Sequence, residues 1–118
     1  MLDGLRILAV HHDAGLNGAA MLFQTVLEGL VRDHGASVSL ALPREGPIAP
    51  RARALGPVTV LEDARGRRRF GRARRAGRRA HRVTRREHDL VFANSTASLG
   101  IVETLLGPDS PPLAVYVH

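Results

Sequence analysis

The sequence predicts an α/β fold: a Rossmann-like parallel sheet of about five strands with helices on both faces. Apolar runs of strand length alternate along the chain with segments whose apolar residues recur at helical spacing. The first and last runs contain the continuously apolar stretches ILAV and LAVYV, which are typical of parallel strands that are covered on both faces. A length of 118 residues suits one domain with one core, so we expect residues 1–118 to form a single domain.

Each element has a local reason in the sequence. Proline closes the second strand, Gly35 stops the first helix, and Asn94, Ser95 and Thr96 offer N-cap side chains to the last helix. Short crossovers favour the strand order 3-2-1-4-5, in which the first and fourth strands flank the switch point. The predicted strands are residues 5–12, 37–42, 57–61, 89–93 and 113–118, and the predicted helical segments are 19–33, 47–55 and a third one ending near 106.

The loop between the first strand and the first helix, DAGLNG at residues 13–18, is the strongest candidate for a ligand site. Its glycines allow a ligand to approach the backbone, and the loop amides and the helix N-terminus together favour an anion such as phosphate. A tight strand-to-helix turn without a ligand explains the same residues equally well, because a lone G-x-x-G is a weak signal. Both interpretations stay open at this point.

Composition excludes several chemistries. The chain has no cysteine and no lysine, so disulfides, thiolate nucleophiles and a P-loop are absent. The dinucleotide fingerprint G-x-G-x-x-G is also missing. His11 and His12 point to opposite faces by strand alternation, and we interpret them as structural because no third residue has metal-ligand spacing. We therefore expect neither a metal nor a cofactor.

The charge is concentrated in one segment. Twelve of the 17 arginines lie within residues 65–86, which contain no acidic residue, so the rest of the chain is net acidic although the total charge is +6. Arginines at helical spacing repel one another, so we expect an anion or the acidic remainder of the chain to order this segment. A solvated arginine-rich helix that reflects codon bias is the alternative. The arginines predicted to bind an anionic surface are Arg68, Arg72, Arg75, Arg79 and Arg82.

The order of four motifs resembles a known family. RILAVHHDAGLNGAA, HGASVSLALP, HDLVFANSTAS and PLAVYVH are similar, in sequence and order, to the N-terminal domain of GT-B-fold glycosyltransferases of the retaining, nucleotide-sugar-dependent kind. The resemblance spans most of the chain except the arginine segment. One departure is Asn17, which stands where the family has the first glycine of a glycine pair.

The resemblance implies a role for each matching residue. The glycine loop, here Gly15, Asn17 and Gly18, would approach the diphosphate of the sugar donor. His118, at the end of the last strand, would contact the donor sugar near the reacting carbon and is the predicted catalytic residue. The residues that would help to bind the acceptor follow the first and fourth strands: Asp13, Asn94, Ser95 and Thr96.

The predicted function is that of the N-terminal half of a two-domain glycosyltransferase. Its partners would be a nucleotide-sugar donor, a sugar or lipid-linked acceptor and a C-terminal Rossmann-like domain, and residues 1–118 alone would be inactive. We expect a cytoplasmic protein that docks on the anionic inner face of the membrane through the arginine segment. The alternative is a stand-alone α/β module that binds nucleic acid or another polyanion, although the near absence of aromatic residues disfavours nucleic acid.

Overall fold

The predicted α/β fold is confirmed in a computed structural model that describes residues 3–61 and 83–117. Its five strands are all parallel and lie in the predicted order, 3-2-1-4-5. The strands are β1 (Arg6–Val10), β2 (Ser37–Leu42), β3 (Val58–Val60), β4 (Leu90–Asn94) and β5 (Leu113–Tyr116). The helices are α1 (Gly18–His34), α2 (Ala49–Leu55) and α3 (Leu99–Leu105), and a 3₁₀ turn (Thr96–Ser98) precedes α3.

Two groups of predicted residues lie outside the described residues. His118 is one, and the five arginines predicted to bind an anionic surface are the other: Arg68, Arg72, Arg75, Arg79 and Arg82.

β1 is the central strand of the sheet. Ile7 is in register with Val38 of β2 on one side and with Leu90 of β4 on the other. Residues 7–10 are all buried, and alternate side chains enter two separate cores: Ile7 and Ala9 face α1, whereas Leu8 and Val10 face α3. This double burial explains why residues 7–10 are all apolar.

Capping residues set the ends of α1. The side chain of Asn17 accepts a hydrogen bond from the amide of Ala20, which satisfies one of the free amides of the first turn. Gly35 takes the left-handed conformation at φ 76°, and the amide of Ala36 reaches back to the carbonyl of Leu30. The helix is therefore one residue longer at each end than its apolar pattern predicts.

The second core holds the chain on both sides of residues 62–82. Leu61, just before the undescribed residues, and Val83, just after them, are buried in the cluster under α3. The amide of Val83 donates to the carbonyl of Leu105 at the end of α3. Residues 85 and 86, the last two of the arginine segment, lie in a turn over residues 85–87 and not in a helix. Leu61 and Val83, which flank residues 62–82, thus both lie in the core on the side of the sheet opposite α1.

Arg6 anchors that turn to the start of β1. Its guanidinium donates to both carboxylate oxygens of Asp89, at 3.2 and 3.0 Å, and to the carbonyls of Arg85 and Arg86 at 3.2 and 2.6 Å. The hydrogen bonds from Arg6 hold the pKa of Asp89 below its usual value. One side chain therefore ties the central strand to the segment that leads into β4.

A pair of glycine substitutions tests the packing of the sheet. A Cβ at Gly56 would overlap the carbonyl oxygen of Val38, whereas a Cβ at Gly100 meets no atom within 4 Å. We expect Gly56→Ala to lower the free energy of unfolding by about 1–3 kcal/mol. Gly100→Ala, within α3, should raise it by up to about 1 kcal/mol. Urea denaturation of both variants checks this, and equal stabilities would contradict the packing at Gly56.

The Arg6–Asp89 pair should make stability depend on pH. Because the pKa of Asp89 is lowered in the folded protein, its contribution is complete above the ordinary aspartate pKa of about 3.9 and is lost as the pH falls further. Asp89→Asn should therefore lower Tm at pH 7, and the difference from the parent chain should shrink below about pH 4. Asp109→Asn is the control, since Asp109 is exposed. A difference independent of pH would count against the pair.

Candidate functional site

Three loops meet at the carboxyl edge of the sheet, where the loops after β1, β2 and β4 emerge. Ala14, in the loop after β1, is fully buried, and its carbonyl accepts a hydrogen bond of 2.9 Å from the amide of Ile48. A Cβ at Gly46 would lie 2.7 Å from Ala14, so only glycine permits the loop after β2 to approach this closely. The first two loops therefore form one packed unit beside the switch point.

The carboxylate of Asp13 organises this unit. One oxygen accepts from the amide of Ala14 and from the guanidinium of Arg44, both at 2.8 Å. The other oxygen accepts from the side-chain amide of Asn17 at 2.6 Å. Asp13 thus joins the loops after β1 and β2, and it places the exposed Arg44 beside the glycine loop.

The glycine loop ends at the open first turn of α1. Among the described residues, the backbone amides of Gly18 and Ala19 have no acceptor, because the cap of Asn17 reaches only the amide of Ala20. A Cβ at Gly18 would meet no atom within 4 Å, whereas one at Gly15 would lie 3.2 Å from the Asp13 carboxylate. The first turn of α1 therefore presents free amides with a partial positive charge.

His11 is committed to the core. It is fully buried against the ring of Phe23, and its Nε2 lies 3.0 Å from the side-chain oxygen of Gln24. The nitrogen of Gln24 donates to the carbonyl of Arg51 and to Glu28, both at 3.3 Å. Burial lowers the pKa of His11, so the ring is held neutral within the core under α1.

The side chain of His12, the next residue, lies against the end of β4. Its Nδ1 lies 3.1 Å from the side-chain nitrogen of Asn94, the last residue of β4. Asn94 is fully buried and donates also to the carbonyl of Ala19 at 3.3 Å. The buried hydroxyl of Ser98 donates to the backbone carbonyl of Asn94 at 2.6 Å. One carboxamide therefore joins the ends of β1 and β4 to the first turn of α1.

Ser95 has a strained backbone. Its φ of 64° and ψ of 170° fall in a region that is almost restricted to glycine. Its amide donates to the carbonyl of Tyr116 in β5, and its hydroxyl accepts from the amide of Ala97. The sharp turn explains why β4 is followed by a 3₁₀ turn and not directly by the predicted helix, and it leaves Thr96 exposed at this edge. Strain of this kind is often found at functional sites.

The structure gathers at one edge the predicted site residues that it describes. All seven belong to the loops after β1 and β4 or to the adjoining ends of α1 and β4: Asp13, Gly15, Asn17, Gly18, Asn94, Ser95 and Thr96. From the sequence, His12 was interpreted as structural, and Arg44 was not among the predicted site residues. Their signal was their position two residues after the ends of β1 and β2, but residue type alone did not distinguish His12 from the buried His11.

Some kinds of site are absent from residues 3–61 and 83–117. No group of three histidine, aspartate or glutamate side chains in these ranges is arranged to hold a metal ion. No helix within them combines the length and the apolar character that a membrane crossing requires. Comparisons with family models, with curated proteins and with solved structures find no match for this chain.

The strain at Ser95 is testable with two variants at one position. Ser95→Ala and Ser95→Gly both remove the hydroxyl, but only glycine relieves the backbone, so the glycine variant should be more stable by about 1–3 kcal/mol. At Ser98, where φ is −81°, the order should reverse, with glycine less stable than alanine by about 1 kcal/mol. Thermal unfolding of the four variants provides the comparison. The same order at both positions would rule out strain at Ser95.

Proposed function

We propose that this chain is the acceptor-side domain of a retaining glycosyltransferase that moves a sugar from a nucleotide donor to an acceptor. The observation that carries the proposal is the convergence of the loops after β1, β2 and β4 beside the switch point. Ligands of open parallel sheets bind at this place, outside the carboxyl ends of the strands. The resemblance of four ordered motifs to GT-B enzymes supplies the reaction class.

The free amides of Gly18 and Ala19 suit the donor diphosphate. They lie at the positive end of a 17-residue helix, and nothing within 4 Å occupies the position of a side chain at Gly18. Arg44 is a cation of the adjoining loop. A second Rossmann-like domain would bind most of the nucleotide. The free amides and Arg44 would balance the negative charge of the donor diphosphate in the cleft.

The remaining assignments follow the resemblance. Asp13, Ser95 and Thr96 lie at the edge where the acceptor would bind, and His118, outside the described residues, would contact the donor sugar. Stabilising charge as the sugar–phosphate bond breaks is the kind of work that preorganised donors perform in such sites. No metal is required by this set of residues.

The arginine segment is assigned to anionic membrane. Twelve arginines without an acidic residue attract anionic headgroups, and a lipid-linked acceptor would be found at the same surface. The same charge pattern supports the second candidate, a module that binds a polyanion and has no transferase activity. The two candidates differ in whether a sugar is transferred.

A transfer assay tests the proposal. The gene, expressed with all of its in-frame downstream sequence, is incubated with radiolabelled nucleotide sugars and with lipid and polysaccharide extracts as acceptors. We expect one donor to give a labelled product, and His118→Ala to lower kcat by about 10²–10³-fold. His34→Ala, the same substitution at the exposed end of α1, is the matched control and should leave kcat unchanged.

Two outcomes would contradict the proposal. One is the absence of transfer from every donor together with steeply salt-dependent binding to heparin or nucleic acid, which would favour the polyanion module. The other is sugar transfer by residues 1–118 alone, because the proposal places nucleotide binding in a second domain. Equal co-sedimentation with neutral and anionic vesicles would overturn the membrane assignment only.

A further inference from the structure

We propose that Asn94 is a positioning residue that holds His12 in one tautomer, so that the Nε2–H of His12 donates a hydrogen bond to an oxygen of the acceptor. This inference rests on the proposed function for the identity of the ligand. The orientation of the His12 ring rests on the structure alone. The two parts can therefore be tested separately.

Two contacts determine the orientation of the Asn94 carboxamide. Its nitrogen lies 3.3 Å from the carbonyl oxygen of Ala19 and 3.1 Å from Nδ1 of His12. A carbonyl oxygen can only accept, so the atom facing Ala19 has to be the NH₂ group. The same NH₂ group then faces His12 and donates to it. Asn94 is fully buried, so water does not compete for these hydrogen bonds.

The carboxamide in turn determines the tautomer of His12. Because Nδ1 accepts from Asn94, the proton of the neutral ring has to be on Nε2. No residue in the described ranges forms a hydrogen bond with that Nε2. The ring is half-buried, so its free donor lies at the open edge of the domain and not within the core.

The neighbouring histidine provides an internal comparison. His11 also faces a carboxamide, but there the Nε2–H donates to the oxygen of Gln24 and is used within the core. In His12 the carboxamide contacts the opposite ring nitrogen, Nδ1, so the Nε2–H donor has no partner among the described residues. Two adjacent histidines therefore have the same tautomer and different free atoms, and only His12 retains a proton donor for a ligand.

The ligand atom that fits this donor is an oxygen with a free lone pair. His12 follows β1 at the switch point, and through Asn94 it is tied to Ala19 in the first turn of α1, next to the amides assigned to the donor diphosphate. A hydroxyl or phosphoryl oxygen of the acceptor, placed beside that diphosphate, is the group that His12 would orient. Asn94, which the resemblance assigns to direct acceptor binding, would instead act through His12, because it is buried and its NH₂ group contacts His12 and Ala19.

The tautomer is measured first, on the 118-residue chain. In ¹⁵N NMR spectra at neutral pH, Nδ1 of His12 should have the shift of an unprotonated ring nitrogen and Nε2 that of a protonated one. Asn94→Asp replaces the donor by a carboxylate and should move the proton to Nδ1; Asn94→Ala should give a mixture. Ser98→Ala removes a neighbouring buried hydrogen bond and should leave the tautomer unchanged, which separates positioning from folding.

The function of His12 is measured next, in the full gene product. Without acceptor, the hydrolysis of the labelled nucleotide sugar reports donor binding and bond cleavage alone. His12→Ala and Asn94→Asp should raise the KM for the acceptor about tenfold or more and leave the hydrolysis rate and the donor KM unchanged. His12→Gln, whose amide can still donate, should recover part of the loss. Ser98→Ala should change none of these values.

The possible results test the tautomer of His12 and the identity of its ligand separately. A proton on Nδ1 of His12 in the parent chain would overturn the inference even if sugar is transferred. An unchanged acceptor KM in His12→Ala would do the same. The predicted tautomer without any sugar transfer would refute the proposed function, and with it the ligand assigned to His12, while the positioning by Asn94 would stand.

Discussion

The pairing of β1 with β2 on one side and with β4 on the other is the constraint on which the rest of the structure depends. In a parallel sheet, all three strands end at the same edge, so their loops are brought together without any contact between the loops themselves. The close approach at Ala14 then joins the first two loops. The strand order therefore determines where the candidate site lies, and single residues determine only its details.

Two buried carboxamide side chains give the adjacent histidines, His11 and His12, different hydrogen-bond partners. Gln24 extends from α1 and accepts from His11, whose pKa is lowered by burial, while Asn94 extends from β4 to His12 and leaves the outer nitrogen available. Carboxamides suit this task because they carry a donor and an acceptor without a charge, so their burial costs less than that of an ionised group. The polarity of each amide is set by backbone carbonyls around it.

The described residues on both sides of residues 62–82 are packed into the domain. Leu61 and Val83 are buried in the same core, and Arg6 holds the turn after Val83 through two carbonyls and Asp89. Apolar burial and one arginine network at the amino edge of the sheet therefore hold the described residues on both sides of residues 62–82.

The sequence by itself determined the fold, because apolar alternation and capping signals are local properties: β2 has its predicted bounds, and α1 differs by one residue at each end. It also determined that the loops after β1 and β4 would meet, because strand order follows from short right-handed crossovers. Only the tertiary structure decided which atoms remain free. The contacts of Asp13 with Arg44 and of His12 with Asn94 join residues 31 and 82 positions apart, and a hydrogen bond between distant residues leaves no periodic signal in a sequence.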